Sequence, residues 1–402
     1  MSQIETQEIR SPDSHEGLRQ TKRLPTKFEG NNCFFMSDPL DLLKAFQELS
    51  PQSRASLKAS SWLLDGQVLD TTSTDPVAGG GEAGSLNKKV TIVGNGEDSE
   101  GNVLLEDDGI LLVGSSLTTG DRSDTFIGVG EINGVHLIEE STLNTGKGND
   151  TINGEGGVYG VSAELSLIDM GDGNNSINGT GGSHGINLES SSLLAEDGND
   201  SVNGTGGAVG VYLDRSNIQL GDGNNSIYGE GATGISLNFG FIFTGSGDDS
   251  ITGVSTSDGA GISLASRNRI FTGAGNDTVD ALTGGFEGFG SISLGADNDT
   301  LIGDGFSSGI RFDGDGFVRD GEVAGTKDKI VLDDGTYSYV DNGSLPYLVD
   351  GSGGFMFIRN FELISDISGN IDQNDVVNEM GADALLFGKT YDVVDGFLEV
   401  IV

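Results

Sequence analysis

One cysteine, Cys33, among 402 residues leaves no partner for an intrachain disulfide. Such a chain is held by its core alone in a reducing compartment, or by something else, such as metal, outside the cell. Basic residues are scarce too: 21 Lys and Arg face 62 Asp and Glu, a net charge of −41. A surface of that sign repels nucleic-acid phosphates and anionic lipid and attracts cations, so nucleic acid is excluded as a partner. No apolar run approaches the roughly 20 residues that a membrane helix needs, and no membrane span is expected. No apolar stretch follows Met1 as it would in a Sec-type signal peptide. Proline numbers 6 against 67 glycines, and the glycines follow no Gly-X-Y period, which excludes collagen.

What the chain has instead is a repeat. Thr145-Gly146-Lys147-Gly148-Asn149-Asp150-Thr151-Ile152 recurs as Met170-Gly171-Asp172-Gly173-Asn174-Asn175-Ser176-Ile177 and as Ala195-Glu196-Asp197-Gly198-Asn199-Asp200-Ser201-Val202. Further copies begin at Leu220, Thr244, Thr272 and Leu294. The sixth position falls on Asp150, Asn175, Asp200, Asn225, Asp249, Asp277 and Asp299, in steps of 25, 25, 25, 24, 28 and 22. Looser copies extend the array to Asp98, Asp124 and Asp328. A fixed period of this size identifies a solenoid. Residues 94–330 hold 37 acidic and 9 basic residues, so the array carries most of the negative charge.

Aligned coils expose apolar columns: Ile152, Ile177, Val202 and Ile227; Val161, Ile186, Val211 and Ile235; Ala163, Leu188, Leu213 and Leu237; Ile168, Leu193, Ile218 and Ile242. Each coil thus has three short alternating segments separated by Gly, Asn, Asp and Ser, and no helical period. The expected fold is all-β, a right-handed parallel β-helix spanning 90–330. Residues 1–36 are polar and unpatterned and read as disordered. Residues 37–65 read as a helical hairpin capping the first coil, from Ser37-Asp38-Pro39 and then Ser50-Pro51 with Leu57, Trp62, Leu63 and Leu64. Residues 66–89 read as a linker. Its Val77-Ala78-Gly79-Gly80-Gly81 resembles a double-glycine leader cleavage site, and a glycine-rich linker explains the same residues. Residues 331–402 break the period and are expected to form an irregular β cap.

Gly146, Gly148, Asp150 and Ile152 match the nonapeptide pattern Gly-Gly-x-Gly-x-Asp-x-U-x. The turns resemble the RTX (haemolysin-type) calcium-binding repeats of secreted bacterial proteins. That resemblance implies Ca2+ between stacked turns, held by glycine carbonyls and hard carboxylate oxygens. The positions it points to are Gly146, Gly148, Asp150, Asn175, Asp200, Asn225, Gly245, Gly247, Asp249, Gly273, Gly275, Asp277 and Asp299. The array departs from the family in several ways: Glu196 replaces the second-position glycine in one copy, and Asp297 and Arg122 the fourth-position glycine in two others. One motif occurs per long coil, the first glycine is replaced throughout, and the sixth position alternates Asp with Asn. An unbroken Asp column with ~4.8 Å steps would repel itself by about 3–4 kcal/mol per step at an effective dielectric of 20. Dilution by Asn relieves that, and a metal-free Asn/Asp ladder is the plain alternative. The Asp249, Asp277 and Asp299 run is expected to bind calcium most tightly.

The chain's last residues, Leu398-Glu399-Val400-Ile401-Val402, resemble the ending of type I secretion substrates. The combined expectation is a secreted or cell-surface protein with a structural or interaction role. Its partners would be calcium ions and a cell-surface polysaccharide or protein. A second acidic column, Glu164, Glu189 and Asp214, lies near His184. It gives the rival reading, a β-helix enzyme acting on carbohydrate with paired carboxylates. A hydroxyl ladder (Thr151, Ser176, Ser201) would suit an ice-binding face, but Lys147, Asp172 and Asp197 replace the central threonine that such faces use.

Overall fold

The computed structural model describes residues 108–114, 116–281, 283–303, 309–314, 328–333, 335–340, 347–351 and 353–361. It adds, as strands, 32–34, 56–58, 60–63, 68–70, 91–95, 363–366, 383–384, 390–394 and 397–401. Every regular element among them is a strand, and the coils stack in parallel as a β-solenoid. Three sheets, of 13, nine and 16 strands, form its faces. In the coil opened by Asp150, Thr151–Gly156 belongs to the 13-stranded sheet, Tyr159–Glu164 to the nine-stranded and Leu167–Asp169 to the 16-stranded. Each pairs in register with its counterpart one coil on: Ile152 with Ile177, Val161 with Ile186, Ile168 with Leu193.

The four apolar columns read from the sequence are the core, each member at most 1 % exposed. Alternation sends one side chain in and the next out, so three or four aliphatic groups per coil fill the interior. Burying one such group contributes about 1.5–3 kcal/mol. Leu188→Ala is therefore expected to cost about 2–5 kcal/mol, because the rigid coils above and below hinder collapse of the cavity. A urea titration with an unchanged slope and a lower midpoint would show it.

Each corner has its own device. Between the 13- and nine-stranded sheets the coil is pinched: a Cβ on Gly154 would lie 2.1 Å from Gly160 O, and one on Gly160 2.2 Å from Thr180 N. Glycine is needed there for close approach, which explains two glycines per coil outside the Gly-x-Gly turn. Between the nine- and 16-stranded sheets, Leu165, Ser190, Arg215 and Phe239 sit at positive φ, 51°, 51°, 50° and 58°. A serine ladder holds that strained bend. Ser166, Ser191 and Ser216 accept from the backbone N–H one coil back at 3.1, 2.9 and 3.0 Å and donate to Glu164 O, Glu189 O and Asp214 O. The third corner is the Gly-x-Gly-Asn-Asp turn.

The ends differ from expectation. Residues 56–58 and 60–63, read as the second helix of a cap, are strands, with Leu57 in register with Leu112 and Trp62 with Leu117. Leucines at helical spacing also fit two short strands, and pairing with an open solenoid edge decides between them. Strands also occur at 32–34, inside the segment read as disordered, and at 68–70, inside the linker. The first helix of the hairpin, Gly80 and Gly81 lie outside the described residues. At the other end the stack passes 330: Lys329 pairs in parallel with Leu363 and Arg311 with Phe357. Antiparallel strands at 335–340, 347–350 and 390–394 extend the 16-stranded sheet as a cap. Residues 397–401 close it as a hairpin with 390–394.

Candidate metal centre

The Gly-x-Gly turns stack closely, with glycine at both positions in most copies and Glu196 and Asp297 in its place in two. Gly171 and Gly173 adopt φ of 64° and 123°, and a Cβ on either would meet Gly146 O or Gly148 O at 1.7 Å. The loop carbonyls consequently crowd the sixth-position side chain. Asp150, Asn175, Asp200, Asn225, Asp249, Asp277 and Asp299 form one in-register column, each at most 3 % exposed. In every step Oδ1 accepts the backbone N–H one coil back, from Asp150 N to Asn175 Oδ1 at 2.9 Å through Asp277 N to Asp299 Oδ1 at 2.8 Å. The fifth-position column runs beside it in the opposite sense and in solvent: Asn174 N donates to Asn149 Oδ1 at 2.9 Å and Asn199 N to Asn174 Oδ1 at 2.8 Å. Two counter-running ladders thus staple each turn to both neighbours.

Asp and Asn are equivalent in that first bond and opposite in the second. Asn175 Nδ2 donates to Gly171 O at 3.1 Å and Gly173 O at 3.0 Å. Asn225 Nδ2 donates to Gly221 O at 3.1 Å and Thr244 O at 2.8 Å. Where the column has Asp, an oxygen replaces that donor. Oδ2 of Asp150, Asp200, Asp249, Asp277 and Asp299 is buried with no hydrogen-bond partner. The corresponding carbonyls around Asp150 are those of Gly146 and Gly148. A buried anionic oxygen facing carbonyl oxygens is costly unless a proton or a cation lies between them.

Burial accordingly raises these carboxyls, to about 6 at Asp150, Asp200 and Asp249, about 8 at Asp277 and about 9 at Asp299. Charge on neighbouring Asp adds to the effect at Asp277 and Asp299. A threonine five residues upstream stands beside Asp150, Asp249 and Asp277. The protons of those hydroxyls go elsewhere, Thr145 to Met170 O at 3.0 Å, Thr244 to Thr272 O at 3.1 Å and Thr272 to Leu294 O at 2.6 Å. What each hydroxyl offers its Asp is therefore an oxygen lone pair. The two Asn turns carry Met170 and Leu220 in its place. Sequence reasoning treated this first position as a lost glycine. Its covariation within the repeat, Thr with Asp and an apolar residue with Asn, was legible, although Ala195 precedes Asp200 and Leu294 precedes Asp299.

These groups offer a hard cation one carboxylate oxygen, two backbone carbonyls and, in three turns, a hydroxyl oxygen, part of the roughly six to eight oxygens that calcium takes. Among the described residues no three His, Cys, Asp or Glu side chains converge to hold a metal by themselves, so backbone carbonyls would have to complete any site. The third-position side chains are at the surface, where Lys147 Nζ meets Asp172 Oδ2 at 2.5 Å. Charge there is relayed between coils.

The second acidic column is also in register, Glu164 with Glu189 and Glu189 with Asp214, one per coil on the nine-stranded sheet. Its members have separate partners. Asp214 takes Arg215 at 2.8 Å and Asn238 Nδ2 at 3.0 Å, and Glu189 Oε1 lies 3.3 Å from Asn187 Nδ2. His184 stands in another column between the rings of Tyr159 and Tyr212, 5.3 and 5.2 Å away. Burial pushes its pKa down, against Glu189. One constellation was not anticipated: buried Asp108 binds His136 Nδ1 at 2.7 Å and Asn133 Nδ2 at 2.8 Å, and His136 Nε2 lies 3.8 Å from Glu164. The residues are 28 apart, and only the irregular early coil brings them together. No known protein family, curated protein or solved structure matches this chain. No helix among the described residues is long and apolar enough to cross a membrane.

Proposed function

We propose that the chain is a calcium-binding β-solenoid that folds outside the cell or at its surface and serves as a scaffold or interaction module. One observation carries the reading: the Asp turns put an unpartnered, buried oxygen where the Asn turns put an N–H₂ donor against the same carbonyls. A divalent cation supplies what the amide supplies elsewhere. Asp249, Asp277 and Asp299 are consecutive, so two carboxylates flank each step, and this run is the tightest set. Asp200, bracketed by Asn175 and Asn225, and Asp150, with Asn175 on one side and Asp124 on the other, are weaker. A fold that depends on calcium is favoured where calcium is abundant, which supports the extracellular placement. The test is calcium titration into chelated protein, followed by circular dichroism and melting. The melting temperature should rise with calcium, since a ligand of the folded state alone must stabilise it. No shift at millimolar calcium would overturn the reading.

The acidic column at Glu164, Glu189 and Asp214 is, on this reading, a solvated edge. Glu189→Gln is expected to change stability by no more than about 0.5 kcal/mol and to leave the calcium response intact. Loss of a polysaccharide-cleaving activity in that variant would assign the column to catalysis instead.

A further inference from the structure

The outer surface of the 16-stranded sheet reverses the chemistry of the rest of the rod. Across Asn217–Gln219, Phe241–Ser246, Arg269–Ala274 and Ser291–Ala296 its two outward columns read Asn217, Phe241, Arg269, Ser291 and Gln219, Phe243, Phe271, Ser293. The next acids in these columns are Asp169 and Asp313. Phe241 and Phe243 are 39 % and 38 % exposed, and Phe239 and Phe289 beside them are 52 % and 64 % exposed. Phe243 and Phe271 stack at 5.1 Å and 6°. Arg267 and Arg269 are exposed on the same coils and make no ion pair among the described residues, in a chain of net charge −41. A large exposed apolar patch on a soluble fold marks an interaction site.

We propose that this face binds an acidic polysaccharide. The columns run in register from coil to coil, so they suit an extended polymer. Guanidinium groups pair bidentately with carboxylates or sulfates. Sugar rings have an apolar C–H face that fits against phenyl groups. One face of Phe271 is taken by Phe243, and its other side adjoins Ser293, the smallest step in the column. A sugar ring seats there with its acid group toward Arg269 or Arg267. With coils stacked at ~4.8 Å, an extended polymer lying along these columns meets one coil after another. A second copy of the chain fits less well. Patch against patch brings Arg to Arg, and the acidic turn edge offers no apolar face.

Phe241, Phe243, Arg269 and Phe271 are directed outward, whereas Asp249 and Asp277 are buried at the adjoining corner, so the proposal does not require calcium to bind there. The probe is a uronic acid oligomer too short to gel with calcium, titrated calorimetrically into the full chain at fixed calcium. A neutral glucan and phosphatidylglycerol vesicles run in parallel. Wild-type protein should bind the oligomer, more weakly as salt rises, and should bind neither control. Arg267→Glu with Arg269→Glu should weaken binding at least tenfold with an unchanged melting temperature. Arg269→Glu alone serves should the pair fail to fold. Absent binding, equal binding by the variant, or equal binding of the neutral glucan would overturn the proposal. So would vesicle binding without oligomer binding, which would mark a membrane surface, or a wild-type dimer that the variant converts to monomer.

Discussion

Chelated protein is expected to melt lower at pH 8 than at pH 5, and millimolar calcium to remove most of that difference. The sign follows from the raised carboxyls. Each group's folded pKa lies above its unfolded value of roughly 3.9, so its contribution is fully present below that value and lost as pH rises through the folded pKa. For Asp150, Asp200 and Asp249 the loss runs from that unfolded value up to about 6; for Asp277 and Asp299 it extends to about 8 and 9. One pKa unit is about 1.4 kcal/mol, so even a single unit at each of the five totals about 7 kcal/mol. At roughly 2–4 °C per kcal/mol, the melting temperature should fall on the order of 10 °C or more between pH 5 and 8. Calcium and protons compete for the same oxygens, so calcium should stabilise more at pH 8 than at pH 5. Sodium chloride at matched ionic strength separates this from screening of the −41 charge. A flat profile in chelator, or equal recovery with sodium, would show that the buried oxygens are satisfied in another way.

The interior was legible because it depends on periodicity alone. Ile152, Val161, Ala163 and Ile168 recur with their coil, and a column of aliphatic residues can do little but face inward. The ladders were legible in part. The Asx column could be placed from spacing, but its complete burial could not, because Asp in a glycine-rich turn ordinarily faces water. That Gly154 and Gly160 serve close packing at another corner was hidden, since a glycine required for approach looks the same as one required for a turn. The ends were misread for a related reason. Leu57 and Trp62 have no neighbouring repeat to set their period, so helix and strand patterns both fit, and only pairing with Leu112 and Leu117 distinguishes them. The Phe241, Phe243 and Phe271 patch was invisible because it interrupts the repeat. Column alignment rewards what recurs, and a binding surface is often what does not.

The repeat already contains the control for the metal reading, because Asn175 and Asn225 show how a turn closes without a cation. Asp277→Asn should therefore stabilise chelated protein at pH 8. Its amide can donate to the Gly273 and Gly275 carbonyls as Asn175 does to Gly171 and Gly173, while Oδ1 still accepts the Asp249 N–H. Removing one unsatisfied buried acceptor gains about 1–3 kcal/mol. The calcium-induced rise in melting temperature should shrink in the same variant, since the Asp249–Asp277–Asp299 run loses its central carboxylate. Asn225→Asp should do the reverse. It joins Asp200 to Asp249 in an unbroken run, adding two like-charge steps of about 3–4 kcal/mol each at an effective dielectric of 20. It also leaves Gly221 O and Thr244 O without their donor. Chelated Asn225→Asp protein should be strongly destabilised at pH 8 and should recover in calcium, with a larger calcium response than the parent. Were the column a metal-free ladder, both variants would change stability and neither would change the response to calcium. The ratio of stability with calcium to stability without it, compared across the two substitutions, therefore decides whether the alternation of Asp and Asn spaces out charge or sets where cations bind.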